Sequence, residues 1–589
     1  MANKGGIYLS GEEVSKRSLK NPFSKIMPHV FFILILFLLC FAIFFPFLHT
    51  GQFYADADWS FHANRVEEIF DNLKEGHFFT FIATHVFNHT GVGNFLFYPT
   101  LFLYPWAFLR FIFGPVTAFL VWLFLIFILT VLISYFSMYS FSKNRLQSFI
   151  FSILYLAIPY NFVIALSAFD LGQTIETTFL PLIFLGIYNI LWGNYKKFYP
   201  LVFGITFIAY SHVLGVLLSL EILLGIFLGK IINNKGIDRI RFWFLVKSAL
   251  STIVLSLPVI IPYLTNYIGQ NVILTGENLS GYLVGVYSLG KTFTDALSNN
   301  GSVGLILLII AIFGFFYIRK NKQYRSFYLI GITLILFSTT IFPWFLFKKE
   351  FISIIQFPYR YTSYCAVFLA AVASKIFSHF LETKNITNAK KVTFSLVFPL
   401  VSLFLIYGST NQINNITKPY PKNVHSLEVK KNKAAYMVQP GALLNNQNYK
   451  YQFDYLVKFG LTDYFPHKSH KKKNAGSIIS QNVKKASSTK IQNTQFSANK
   501  IIYKLNVTKT NKVDFPFLKY KNTYAKINGK KTKILKSFRN TTKINLTPGN
   551  KRVEIYYKAP LIYWIGWIVS VIYLAFLIIL FFKRKKISK

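Results

Sequence analysis

The chain has 589 residues, 53% hydrophobic and 19% aromatic, with 64 Lys and Arg against 21 Asp and Glu for a net charge of +43. That is too apolar for an ordinary soluble protein and too long for one domain, and it reads as a polytopic α-helical membrane protein. Two cysteines, Cys40 and Cys365, both inside apolar runs, offer neither a disulfide framework nor a thiolate metal site.

Residues 1–28 form a basic N-terminus, and 29–410 the multispanning region. The first apolar run, 30–49, meets the length of about 20 residues needed to cross a bilayer. It exceeds a signal-peptide core and lacks a small-residue cleavage site, so an uncleaved anchor is expected. Further spans are expected near 117–141, 146–164, 174–193, 198–211, 213–232, 246–266, 302–318, 326–346, 361–381, 392–409 and 561–582, twelve in all. Lys and Arg cluster at 16–25, 143–145, 196–197, 230–247, 319–325, 384–391 and 583–589. Short cytoplasmic loops are enriched in these residues. Twelve spans put every cluster, and both termini, on the cytoplasmic side. The apolar segment 95–113 is interrupted by Pro99, Pro105 and Arg110 and reads as an interfacial or re-entrant piece. The run 199–232 is too long for one span and breaks at Ser211-His212.

The first outer loop, 50–116, gathers six acids (Asp56, Asp58, Glu67, Glu68, Asp71, Glu75) within 50–98 against two bases, Arg65 and Lys74. After Asp58 an apolar stripe of Val66, Ile69, Phe70 and Leu73 predicts a helix that Gly76 stops. His62 and Arg65 follow Asp58 on roughly one face. Asp56 and Asp58 together suit a shared proton or a divalent metal ion, though nothing in the sequence requires a cofactor. Asp58 serves equally as a helix cap, and His62 as a packed core histidine. Glu67, Glu68, Asp71 and Glu75 are expected on the solvated face, and His77, His85 and His89 lack a specific zinc spacing. The layout places Asp170, Glu176, His212, Gln356 and Arg360 on the same outer side as Asp58. Ionisable groups at membrane depth are costly and line sites or cavities, so an outward-facing cavity is expected.

In the tail, 411–559, the Phe/Leu runs stop. Residues 411–558 hold 30 Lys and Arg against 5 Asp and Glu, a balance of +25. Asn528-Gly529 between two short alternating stretches signals a hairpin, and 553–557 alternates as a strand. An extracytoplasmic β-sandwich is expected, preceded by a poorly ordered Lys-rich stretch near 467–490. Its charge favours anionic envelope polymers or lipid headgroups, or is simply a solvated surface. An outward-facing domain makes nucleic acid a poor partner. Residues 560–589 supply a final span and a basic tail. Heavy use of Lys, Asn, Ile and Phe suggests an AT-rich bacterial genome, hence a bacterial cell membrane.

Asp58-Trp-Ser-Phe-His62-Ala-Asn-Arg65, Leu73-Lys-Glu-Gly76 and Gly91-Val-Gly93-Asn-Phe-Leu-Phe-Tyr98-Pro99 together resemble the first outer loop of a bacterial membrane family. That family is labelled 6-pyruvoyl-tetrahydropterin-synthase-related and is similar to the YfhO-like membrane proteins. Glu176-Thr-Thr-Phe-Leu-Pro181, Ser211-His212, Gln356-Phe-Pro-Tyr-Arg360 and the tail's Pro516-Phe-Leu-Lys-Tyr520 with Ile527-Asn-Gly529 match further motifs in order. Phe169 departs from the family's Arg-containing stretch before Asp170. The family in turn resembles the GT-C glycosyltransferases, which take sugars from polyprenyl-phosphate carriers. The pterin chemistry of the label belongs to a soluble zinc enzyme, and the chain has no convincing triple-His zinc pattern, so that activity is not carried over.

The resemblance implies a membrane glycosyltransferase working at the outer face with inversion. Asp58 is then the base and Asp56 its partner, with His62, Arg65, Glu176, His212, Gln356 and Arg360 binding substrate and phosphate. Two other readings stay open: a transporter or flippase of an envelope polymer, and a non-enzymatic membrane protein that binds anionic polymer through its tail.

Overall fold

In hydrocarbon every backbone N–H and C=O must be paired within the protein, so apolar runs of this length fold as helices. The computed structural model describes residues 22–234, 236–273, 288–347, 355–383, 387–417, 442–453 and 462–587. Seven helices are long and apolar enough to cross a membrane: Ile26–Thr50, Pro115–Ser142, Leu171–Leu191, Val213–Asn233, Pro358–Glu382, Ala389–Ser409 and Leu561–Lys583. Two further spans are broken. Arg145–Leu156 meets Pro159–Ser167 at 52°, and Arg239–Leu255 meets Leu257–Tyr267 at 70°. Proline explains both breaks: Pro159 and Pro258 stand in the first turn of each second piece, where a ring is tolerated and a continuing helix is not.

Each of the twelve expected runs coincides with a helix or a broken pair, but the count of full spans falls to seven, or nine with the bent pairs. The other three are Tyr199–Ala209, Leu305–Ile318 and Lys322–Phe337, of 11, 14 and 16 residues. At about 1.5 Å per residue the shortest covers roughly half of a hydrocarbon core of about 30 Å. The expected break at Ser211-His212 falls between helices ending at Ala209 and starting at Val213. Segment 95–113 contains only short pieces, Asn94–Phe97, Leu101–Leu103 and Tyr104–Leu109.

The first helix, α1 (Pro22–Thr50), leads into strand β1 (Gln52–Ala55) and then helix α2 (Trp59–Lys74). Strand β2 (Ala442–Asn445) pairs antiparallel with β1, Gln52 opposite Asn445 and Ala55 opposite Ala442, so the tail is stitched to the first loop. Seven more strands follow: β3 (Thr489–Ser497), β4 (Lys500–Val507), β5 (Asn511–Leu518), β6 (Thr523–Ile527), β7 (Lys530–Thr532), β8 (Thr541–Leu546) and β9 (Gly549–Tyr557). They form a five-stranded sheet, β3-β4-β9-β6-β7, and a β5-β8 pair. Ile501, Leu505, Val513, Phe515, Ile544, Val553 and Ile555 are fully buried in this domain. Asn528 and Gly529, at φ +47° and +82°, form the expected tight turn between β6 and β7.

The stretch 467–490, expected to be poorly ordered, folds in part into the helices His467–His470 and Lys472–Ile479. Ile478 is fully buried, and Arg539 donates to Ser477 Oγ and to the Asn482 carbonyl, each at 2.9 Å. Buried apolar contacts and a buried guanidinium outweigh the local run of lysines.

Candidate functional site

Asp58 occupies the N-cap position of α2, but its side chain makes no capping hydrogen bond. Its backbone N–H donates to the Ala168 carbonyl at 3.0 Å, tying this turn to the loop before the Leu171–Leu191 helix. The next residue, Trp59, pins the turn from beneath. It is fully buried, its indole N–H donates to Gln452 at 2.9 Å, and its ring meets Phe53, Trp106, Phe119 and Phe169. Phe169, the residue before Asp170, thus packs against Trp59.

Asp170 caps its helix by accepting from the Gln173 N–H at 3.1 Å, and its other oxygen lies 3.4 Å from Arg360 Nη2. Arg360 comes from the turn Pro358–Arg360 and also donates to Gln356 at 2.9 Å. The guanidinium absent beside Asp170 in sequence is therefore supplied by a distant segment. Each of the three segments that meet here has a non-glycine residue at positive φ: Ala57 at +39°, Phe169 at +50° and Gln356 at +62°. Such conformations cost about 1–3 kcal/mol each and persist where surrounding structure over-determines them, commonly at functional sites.

His62 follows Asp58 by one turn and is buried, with Nδ1 lacking any hydrogen-bond partner among the described residues. Burial and then the Arg65 charge push its pKa down to about 3, so the imidazole is neutral at physiological pH. Arg65 is turned to the backbone instead. It is fully buried, donates to the Tyr98 and Pro99 carbonyls at 3.0 and 2.5 Å, and lies 4.5 Å from the Tyr98 ring centroid. Deeper in the helices, His212 Nδ1 sits 2.6 Å from Glu176, whose other oxygen accepts from the Tyr364 hydroxyl at 2.6 Å. Gly215 makes this possible, because a Cβ there would stand 2.2 Å from the Glu176 carboxylate.

Asp170, which pairs with Arg360, and Asp58 differ in acid strength. The protein packed around the Asp58 turn pushes its carboxyl pKa up to about 7 even though the side chain reaches the surface, with Asp170 and Asp463 adding to the rise and Arg360 opposing it. For Asp170 burial also raises the pKa, but His212, Arg360, the Gln173 N–H and His62 together hold it below the ordinary value. Separated acid strengths of this kind assign separate roles, one group poised to exchange a proton and one fixed as an anion. Asp58 keeps an exposed face at the surface. Arg360 Nε is buried without a hydrogen-bond partner among the described residues, like His62 Nδ1.

Asp56 does not join this pair as its expected partner. It accepts from its neighbour's N–H, Ala57, at 2.7 Å and is not among the groups acting on Asp58, whereas Asp463 of the tail is. Among the described residues no three His, Cys, Asp or Glu side chains gather as a metal site. Of the acids expected on the solvated face, Asp71 and Glu75 do reach the surface, while Glu68 turns inward and Glu67 is largely covered. Glu68 is fully buried and accepts from the N–H groups of Thr84, His85 and Val86 at 2.9, 2.8 and 3.0 Å. Glu67 pairs with Arg110, and Glu75 accepts from Ser497 and Ala498 of the tail. Glu67 and Glu68 hold the loop to itself, and Glu75 ties it to the tail. His89 stacks on Phe496 at 3.7 Å.

Two hollows adjoin the site. A small, water-sized hollow is lined by His62, Arg65, Tyr98, Gly172, Tyr210 and Ser211, among others. An apolar groove of about 90 Å³ shares Tyr98, Pro99 and Tyr210 with it and runs past Phe79 and Pro262 to Trp564 and Trp567. The chain matches no protein-family model and no curated protein, so the reading of its function starts from this geometry and from the motifs that form it.

Proposed function

We propose that the protein is an inverting, GT-C-like glycosyltransferase of the bacterial cell membrane, with both termini in the cytoplasm and the Asp58 site at the outer face. It moves a sugar from a polyprenyl-phosphate carrier to a cell-envelope acceptor. The observation that carries this reading is the Asp58 carboxyl: uncapped, open on one side, and raised toward neutral beside a buried arginine. In the reaction the ionised Asp58 accepts the proton of an acceptor hydroxyl while that oxygen bonds to the anomeric carbon. The bond from that carbon to the phosphate oxygen breaks, and polyprenyl phosphate leaves. Arg360 has a free nitrogen to hold the leaving phosphate, and a guanidinium suits phosphate oxygens. Neutral His62 donates to or accepts from a sugar hydroxyl. The aromatic groove beside the pocket suits an isoprenoid chain entering from the bilayer.

General-base help is worth about 10²–10⁴-fold. Replacing Asp58 by Asn should therefore lower transfer by that order while the protein folds normally. The test compares the envelope glycans of wild-type, deletion and Asp58→Asn cells. A folded Asp58→Asn protein that restores wild-type glycans removes the mechanism. It would leave the polymer-binding reading, to which the +25 tail lends its charge.

A further inference from the structure

Arg65 takes no step in the proposed transfer, yet it is a fully buried charge. Its Nη2 is spent on the Tyr98 and Pro99 carbonyls, at 3.0 and 2.5 Å. The guanidinium carbon lies 4.5 Å from the Tyr98 ring centroid, 5.3 Å from Phe61 and 5.9 Å from Phe95. Ring faces offset part of a cation's charge, but Arg65 Nε and Nη1 have no hydrogen-bond partner among the described residues. Nearby carboxylates are engaged elsewhere: Glu67 by Arg110, Glu68 by the backbone of 84–86, and Asp170 by Arg360. A buried guanidinium held by carbonyls and rings alone is costly, because nothing neutralises it.

A third unpartnered nitrogen stands beside these two. His62 precedes Arg65 by one turn of α2, its side chain is buried, and its ring lies 5.9 Å from the same Tyr98 ring. Its Nδ1 also lacks a partner among the described residues. His62 and Arg65 line one hollow of about 10 Å³, which Tyr98, Leu171 and Gly172 help to wall. One water-sized occupant needs about 10–15 Å³. Leu171 and Gly172 begin the 21-residue helix Leu171–Leu191, and the N-terminal end of a helix favours negative charge. Gly172 keeps the wall closed up, because a Cβ there would collide with the Tyr98 hydroxyl.

We propose that the hollow between Arg65 and His62 binds a single monoatomic anion of the chloride class. Size excludes the oxyanions: the space takes one atom-sized occupant, so phosphate, sulfate and a lipid phosphate group are too large. Charge favours an anion over water, since water fills hydrogen bonds but leaves the guanidinium without a counter-charge. Donation from His62 Nδ1 to the anion fixes the proton of the neutral ring there and leaves Nε2 an acceptor. The anion also braces the Tyr98-Pro99 turn that borders both the hollow and the apolar groove. This site stands apart from the transferase reading, and its test reads binding without turnover.

The full-length protein in lipid nanodiscs is exchanged into sodium gluconate. Its melting is followed by tryptophan fluorescence as chloride, bromide, phosphate or sulfate replaces gluconate at constant ionic strength. Chloride and bromide should raise the melting temperature along a saturating curve, because a ligand of the folded state stabilises it by mass action. Phosphate and sulfate should not. Arg65→Gln, which keeps an amide donor but removes the charge, should abolish the rise. His62→Ala should raise the chloride midpoint by about tenfold, the loss of one charge-assisted hydrogen bond, and it tests the site alone where Arg65→Gln does not fold. Equal melting in chloride and gluconate would show that the hollow holds water, and overturns the proposal. So does an equal rise in all four salts, which is a general salt effect. A rise kept in Arg65→Gln, or an unchanged chloride midpoint in His62→Ala, puts the anion elsewhere and overturns it too.

Discussion

In the proposed transfer Asp58 must be ionised to take a proton, and the protein packed around its turn, with Asp170 and Asp463, lifts its pKa to about 7 against the pull of Arg360. Transfer should therefore rise with pH through about 7 and be lost as pH falls below it, measured as sugar transfer in membranes at a series of pH values. An acid limb at the ordinary carboxylate value would mean that Asp58 titrates as a free surface group. Gly215 gives a second test at this scale. A methyl group there would lie 2.2 Å from Glu176, which already holds His212 and Tyr364. Gly215→Ala should destabilise the protein by about 1–3 kcal/mol, the usual range for overpacking a filled site, read as a lower melting temperature in detergent. No change in melting would show that the helices have room to part.

Helix α2 is amphipathic by sequence, but its anchor is one residue at its start. Trp59 joins β1 through Phe53, the Leu171–Leu191 helix through Phe169, and the tail through Gln452. Losing a buried aromatic of this size costs about 3–5 kcal/mol. Trp59→Ala should lower the melting temperature and also free the Asp58 turn, so that activity falls further than stability alone explains. Trp59→Phe, which keeps most of the contact but drops the indole N–H, should recover most of the stability. Equal losses in the two variants would assign the anchor to the single Gln452 bond and not to packing.

The whole molecule is a helical membrane part carrying broad apolar surface, with Phe316, Phe404, Ile572 and Phe582 all more than half exposed, joined to a β-rich domain seated on the loop after its first helix. An apolar surface of this extent calls for lipid around it. The joint between the parts is polar. Glu75 receives Ser497 Oγ and the Ala498 N–H, and His85 lies 3.3 Å from Glu68 and 2.8 Å from Glu75. Burial works to lower the His85 pKa, but hydrogen bonds and charge from Glu68 and Glu75 raise it from 6.5 to about 9. Because the folded value is the higher one, its contribution is full below 6.5 and is lost as pH rises to about 9. Melting temperature should fall across that window in wild type, and the fall should be smaller in His85→Gln. An identical pH dependence in both proteins would place the sensitivity elsewhere.

The sequence by itself determined what is local. Runs of apolar residues place helices at all twelve expected positions, proline marks where two of them break, and Asn528-Gly529 turns a hairpin. Each of these follows from side-chain volume, hydrophobicity or backbone freedom within a few residues. Tertiary structure alone decided which charges meet. Asp170 finds Arg360 across 190 positions of chain, Glu68 turns inward to a cradle of N–H groups, and Glu75 takes donors from the tail at Ser497 and Ala498. Hydrophobic periodicity says which face of an element is buried but not which distant element covers it. A buried carboxylate is stable only with partners that the packed fold brings to it.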